Sequence, residues 1–194
     1  MRTALRTMVA GLVAITAIVA GLGSVAGADG PTDRRITAAV ESQPWKNLKK
    51  GDRDYRVAAA RCLLAQFGHL RGCDPGADGA DVFDDTLVNA VRAYQEDRNL
   101  QVNGRLNDET WVTLRNDHGE AGPGDRRSNL VKGLQHSLNI LGDAIPVDGL
   151  YGDRTKTAVA NFQQRKEIGV DGIVGPITFR ALFAQGAELR HTPQ

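Results

Sequence analysis

The stretch DGLYGDRTKTAV, residues 148–159, returns as DGIVGPITFRAL at residues 171–182, and this repetition decides the fold class. Asp148/Asp171, Gly149/Gly172, Gly152/Gly175 and Thr155/Thr178 match, with Ala158/Ala181 in register. An Asp-Gly pair suits a turn in which the carboxylate bonds nearby backbone and the glycine takes positive φ. Gly175 fits an N-cap with Pro176 at the first helical position, where a missing N–H costs nothing. In the first phrase Asp153 falls in the first helical turn, where a carboxylate offsets the positive end of the helix dipole. Each phrase therefore predicts a tight loop feeding a helix, and no catalysis is needed to account for its residues.

The unit extends toward the N-terminus. Val131, Leu134, Leu138 and Leu141 fall at three- and four-residue steps, the spacing of one helical face, and Gly142 is placed to stop that helix. Val57, Ala60, Leu64 and Phe67 repeat the spacing, with Gly68 as the stop. From Val82 onward a constant offset of 68 residues pairs Asp85/Asp153, Ala90/Ala158, Val91/Val159, Tyr94/Phe162, Gln95/Gln163, Gly104/Gly172, Thr110/Thr178 and Leu114/Leu182. Identity at a fixed offset over that length signals duplication. Asn107 reads as the N-cap of a short helix carrying Trp111 and Leu114. Between the copies NDHGEAGPGDRRS, residues 116–128, is rich in glycine and charge and reads as a linker. About a dozen such residues span roughly 20 Å on average, which lets both copies engage one polymer with avidity.

The front end sets the compartment. Arg2 and Arg6 precede an apolar run from Met8 to about Ala20 and the small residues Ala26, Gly27 and Ala28, the pattern of a secretory signal peptide cleaved after Ala28. The run is shorter and richer in Gly and Ala than the roughly 20 apolar residues of a membrane span. Taking Arg2 and Arg6 from 24 basic residues, against 23 acidic ones, leaves a formal charge of −1. That balance excludes electrostatic capture of nucleic acid or anionic lipid as the design principle. Cys62 and Cys73 are the only cysteines, and export makes a disulfide the expectation. Closing so short a loop contributes roughly 3 kcal/mol in the chain-entropy model. The resulting layout is a signal peptide over 1–28, a flexible leader over 29–44 with room for one loose turn of helix around Ile36 to Val40, a first domain over 45–115, the linker over 116–128, a second domain over 129–185 and a tail over 186–194. The first copy carries an insertion between Gly68 and Val82 that holds Cys73.

At this point the residues match a family. LQ-x-x-L-N-x-L-G at 134–142, D-G-x-[FY]-G-x-x-T-x-x-A-V-x-x-F-Q at 148–163 and V-D-G-x-V-G-P-x-T at 170–178 resemble the peptidoglycan-binding domain of bacterial wall hydrolases. The pattern covers nearly all of Leu130 to Phe183. Residues 45–115 resemble the same family less closely, with Ala80-Asp81 and Asp84 where the second copy has Asp148-Gly149 and Gly152, and Leu87 in place of the threonine. The resemblance implies an all-α protein of two small three-helix bundles in tandem, retention of a secreted chain at the wall, and no catalysis by the module itself. In that family the module usually accompanies a hydrolase domain, and no third domain is expected in this chain.

The titratable residues agree with a non-enzymatic reading. His69, His118, His136 and His191 are scattered without ligand spacing, whereas a zinc peptidase needs two or three ligands converging on one metal. Asp74, Asp78, Asp81, Asp84 and Asp85 form an acidic loop that resembles a calcium loop at its first, fifth, sixth and twelfth places, but Gly76 occupies a liganding place. A solvated acidic loop, a weak calcium site and a glycosidase pair, which needs a sugar-sized cleft, are the three readings it admits, with the first preferred. No cofactor or metal is expected. The ligand-binding candidates lie in the second copy: Asp148, Tyr151, Asp153, Arg154, Asn161, Gln164 and Arg165, beside the N-terminus of the helix that follows Gly152. Tyr151 is placed either as core or as a groove wall. The expected function is a secreted, monomeric, wall-associated protein that binds peptidoglycan through glycan or stem peptide. The alternative is a protein-interaction module that docks on a secreted wall hydrolase.

Overall fold

The computed structural model describes residues 29–189, so the predicted signal peptide and the last five residues of the tail lie outside the described residues. Among these residues the chain forms seven α-helices and no extended sheet: α1 (Arg34–Ser42), α2 (Tyr55–Gln66), α3 (Asp85–Asp97), α4 (Asp108–His118), α5 (Ser128–Ile140), α6 (Asp153–Arg165) and α7 (Pro176–Phe183). Helices α2–α4 make the first three-helix unit and α5–α7 the second. The boundaries follow local chemistry. Asn107 caps α4 by accepting from Thr110 N at 3.0 Å, and Gly175 occupies the N-cap position of α7 with Pro176 next at the first helical position. Gly68 and Gly142 end α2 and α5 with φ of +88° and +108°. The bonds His69 N to Leu64 O (2.8 Å) and Asp143 N to Leu138 O (3.0 Å) close each end in the left-handed stop motif.

The residues expected as a linker are structured. Ala121 is buried and exchanges two backbone bonds with Val174, of 3.0 and 2.8 Å, as Leu48 does with Leu106, of 3.0 and 2.9 Å. Gly124 N donates to Tyr151 O at 3.0 Å, as Gly51 N donates to Phe83 O at 2.9 Å. Gly51-Asp52-Arg53 and Gly124-Asp125-Arg126 are therefore one feature in two copies, and the second repeat begins inside residues 116–128. The Arg127 side chain pins this segment by donating to Asp125, His118 O and Glu120 O.

The leader differs from expectation in the same direction. Residues 34–42 form α1, which lies against α7. Arg180 on α7 donates to Val40 O at 3.1 Å and Gln43 O at 2.6 Å, and its guanidinium covers the Trp45 ring at 4.4 Å. Glu41 of α1 holds Arg115 of α4. A segment that looks polar along the chain is thus fixed by carbonyls and charges spent on other helices.

The two units share one core. Trp45 stacks on Trp111 at 6.0 Å, and Trp111 stacks on Phe183 of the second unit at 5.6 Å. Each such pair contributes about 1 kcal/mol beyond its burial. Helix α2 is buried on almost every side, because α5 covers the face that α3 leaves. Small residues allow that approach: a Cβ at Gly133 would lie 3.1 Å from Cys62 Cβ and 3.3 Å from Ala59 O. Arg56, 1% exposed, reaches across to Phe183 O (2.9 Å), Ala184 O (2.8 Å) and Glu188 (2.7 Å). The expected pair of beads on a flexible tether is therefore a single body with fixed spacing between its units. The Cys62–Cys73 disulfide ties the inserted loop to α2, with Cα atoms 5.0 Å apart.

Candidate functional site

The repeated Asp-Gly phrase is a socket for a buried glutamine. Gln163 donates to Asp171 Oδ1 (2.8 Å), Ile173 O (2.9 Å) and Thr178 Oγ1 (3.1 Å), and its Oε1 accepts from Asp171 N (3.1 Å) and Gly172 N (2.8 Å). Gln135 does the same for Asp148 (2.8 Å), Leu150 O (3.1 Å), Thr155 (3.0 Å) and Gly149 N (2.8 Å). Gln95 repeats it a third time with Asn103, Arg105 O, Thr110 and Gly104 N. The fourth loop departs because Arg61 stands where Gln135 does. Its guanidinium spans Ala80 O, Val82 O and Asp84, so neither an Asp-Gly turn nor the threonine is required there.

This device separates structural from surface residues among the predicted ligand contacts. Asp148 accepts from Leu150 N and Gln135 Nε2, and those bonds hold its carboxyl below the usual range. Tyr151 is 3% exposed and donates to Gly172 O at 3.0 Å, so it belongs to the core and burial pushes its hydroxyl up. Gln164 is exposed on α6 but lies outside the groove described next. Arg165 is half-buried, pairs with Asp143 at 2.6 Å and covers the Phe162 ring at 5.9 Å.

Asp153, Arg154 and Asn161 converge. They line a groove of about 370 Å³ together with Asp143, Ala144, Ile145, Thr157 and Ala158, between the loop after α5 and the first half of α6. The loop wall is rigid: Asn139 donates to Ile145 O at 2.7 Å and accepts from Ile145 N at 2.8 Å, while Arg165 fixes Asp143. Helix α6 begins at Gly152 without a side-chain cap. Sequence reasoning missed the 143–145 wall, although GDAIP after a helix stop is a compact loop with exposed apolar residues. In the first unit the corresponding α3 positions carry Asp85, Thr86 and Ala93 where α6 has Asp153, Arg154 and Asn161, and the facing loop is the disulfide insertion.

Three of the five carboxylates of the acidic loop pair with cations of the chain. Asp81 binds Arg53 (2.7 Å), Asp84 caps α3 and binds Arg61 (2.7 Å), and Asp85 binds Lys50 (2.6 Å). Among the described residues no group of three or more His, Cys, Asp or Glu is arranged to hold a metal ion. His118 is fully buried against the Phe179 ring at 4.9 Å, and His69 lies edge-on to Tyr94 at 5.4 Å, so these two histidines are packing residues.

Comparison with known proteins agrees with this architecture. A family model described as "Putative peptidoglycan binding domain" matches residues 53–114 and 127–182, one match on each helical unit. The chain is 31% identical over 150 residues to N-acetylmuramoyl-L-alanine amidase CwlM of Mycobacterium tuberculosis, covering 70% of this chain and 37% of that protein. It is 44% identical over 61 residues to N-acetylmuramoyl-L-alanine amidase CwlL of Bacillus licheniformis, covering 30% of this chain and 17% of that protein. This chain thus spans well under half the length of the amidases it matches. With both helical units matched over more than half of its residues, the chain belongs to the peptidoglycan-binding domain family.

Proposed function

We propose that the protein is exported, acts without catalysis, and holds to the cell wall by seating a peptidoglycan stem peptide in the α6 groove. The observation that carries this reading is the groove itself, which the exposed cation Arg154 lines together with Asp143, Asp153 and the methyl groups of Ala144, Ile145 and Ala158. That mixture suits a short zwitterionic peptide with small side chains. Among the described residues no aromatic ring is exposed, which leaves no plate for stacking a sugar. The first unit lacks the Arg154 and Asn161 equivalents and acts as the support that fixes the second.

Co-sedimentation of the protein with purified sacculi tests this. The expected result is retention of the wild type and about tenfold weaker retention of an Arg154→Ala/Asn161→Ala variant, the effect of losing one charge-assisted contact. The melting temperature of that variant should stay unchanged, since both side chains are exposed. Sacculi stripped of stem peptides should retain nothing. Equal retention on the stripped glycan would assign the ligand to sugar, and no retention on intact sacculi would favour docking on a secreted hydrolase instead.

A further inference from the structure

Helix α7 has no cap of its own. Gly175 at its N-cap has no side-chain oxygen, whereas α4 at the equivalent place is capped by Asn107. The acceptor comes from the far end of the described chain. Asp29 Oδ2 accepts from Ile177 N at 2.7 Å and Oδ1 accepts from Thr178 N at 2.8 Å. The Asp29 backbone nitrogen in turn donates to Asp171 Oδ2 at 2.9 Å, while Gln163 and Ile173 N both use Oδ1 of that carboxylate. Gly169 completes the seat, since a Cβ there would lie 2.1 Å from Asp29 O, and Gly169 N donates to Thr32 at 2.7 Å.

Two features of Asp29 suit a first residue better than one inside a chain. Its φ is +85°, in the left-handed region that L-residues disfavour. It is also only 3% exposed, yet its nitrogen faces a carboxylate, where a cation would be better matched than a neutral N–H. Both features are resolved if Asp29 is the first residue. A chain terminus has no preceding carbonyl to clash, and an α-ammonium brings positive charge to Asp171.

We infer that Asp171, Gly169 and the first turn of α7 form a receptor site for the chain's own processed N-terminus, whose ligand groups are the α-ammonium and side-chain carboxylate of Asp29. The inference rests on the export reading, with cleavage between Ala28 and Asp29. Peptidase hydrolysis of that bond adds one water, its hydroxyl to the Ala28 carbonyl carbon and its proton to the Asp29 nitrogen, and the freed amine becomes the α-ammonium by taking up the proton that the new Ala28 carboxyl releases at neutral pH. The second unit is then completed only after processing, and the precursor is the less stable form.

The test compares residues 29–194 released from a cleavable fusion with Asp29 first, the same chain with Gly-Ser ahead of Asp29, and both starts carrying Asp171→Asn. The Asp29 start is expected to melt about 5 °C above the extended start, and the gap should close to about 1 °C in the Asp171→Asn pair. The charged groups facing the amine are the carboxylates of Asp171 and of Asp29 itself. The Asp171 carboxylate should slow acylation of the α-amine about tenfold relative to the Asp171→Asn protein, the effect of raising its pKa by one unit. Equal melting of the two starts, or acylation as fast as in an unfolded peptide, overturns the inference. So does an exported protein whose mass shows a start other than Asp29. None of these measurements involves peptidoglycan, so failure here is distinct from failure to sediment with sacculi.

Discussion

Replacing Gln163 with leucine is expected to destabilise the protein by about 4 kcal/mol, while the same change at the adjacent Gln164 should fall within about 0.5 kcal/mol of neutral. The two residues are identical in type and neighbours on α6, and they differ only in what surrounds them. Gln163 is fully buried and satisfies two backbone N–H groups, two carbonyl or carboxylate oxygens and the Thr178 hydroxyl. Leucine has nearly the right volume, so the loss is not a cavity. It is the cost of leaving donors and acceptors without partners in a site that water does not reach, at about 1–3 kcal/mol for each orphaned group. Gln164 is exposed and has no such obligation. Urea unfolding of both variants at neutral pH measures the contrast, and equal stabilities would mean that the socket is not a stability element.

The socket also explains which parts of the molecule were legible in the sequence. The Asp-Gly-to-Thr spacing is fixed because one glutamine amide must reach the turn and the following helix at once, so the phrase repeats and betrays the helix starts. The helix stops at Gly68 and Gly142 were legible for a similarly local reason, the positive φ each one carries. The docking of the two units was not. Its determinants are single long-range contacts, such as Gly133 on Ala59 and Arg56 on Phe183 O and Ala184 O, and none leaves a periodic trace. Residues 116–128 misled for a physical reason, because glycine and charge that usually signal a tether here serve a tight turn and the Arg127 clamp. The groove was half legible. Asp153, Arg154 and Asn161 stand out as polar residues off the apolar stripe of α6, but the 143–145 wall is positioned by Asn139 and Arg165 through tertiary bonds. Asp148 and Tyr151 stood out for their motif, which their internal hydrogen bonds to Gln135 and Gly172 account for.

Acid should weaken the fold well before the carboxylates titrate, and His118 should be the main cause. The ring is fully buried between the end of α4 and Phe179, and Nδ1 lies 2.8 Å from Gly119 O. A carbonyl can only accept, so Nδ1 carries the proton of the neutral ring and Nε2 is left buried without a partner. Protonating Nε2 would place a charge in the core, and burial pulls the pKa down from 6.5 to about 4. The unfolded chain therefore binds a proton that the folded chain refuses between those two values. Stability is at its full level above pH 6.5 and falls as the pH drops toward 4, by about 3 kcal/mol in total. His69 and His136 are also lowered chiefly by burial and add to the slope with the same sign. The check is urea unfolding at steps from pH 7 to pH 4.5 for the wild type and for His118→Asn, whose amide can still donate to Gly119 O. The asparagine protein should lose most of the pH dependence while being less stable at pH 7, because it fills less of the space beside Phe179. An unchanged slope in that variant would move the acid sensitivity to other groups. Loss of the slope would show that one unpartnered ring nitrogen at the end of the first unit sets the acid limit of the fold.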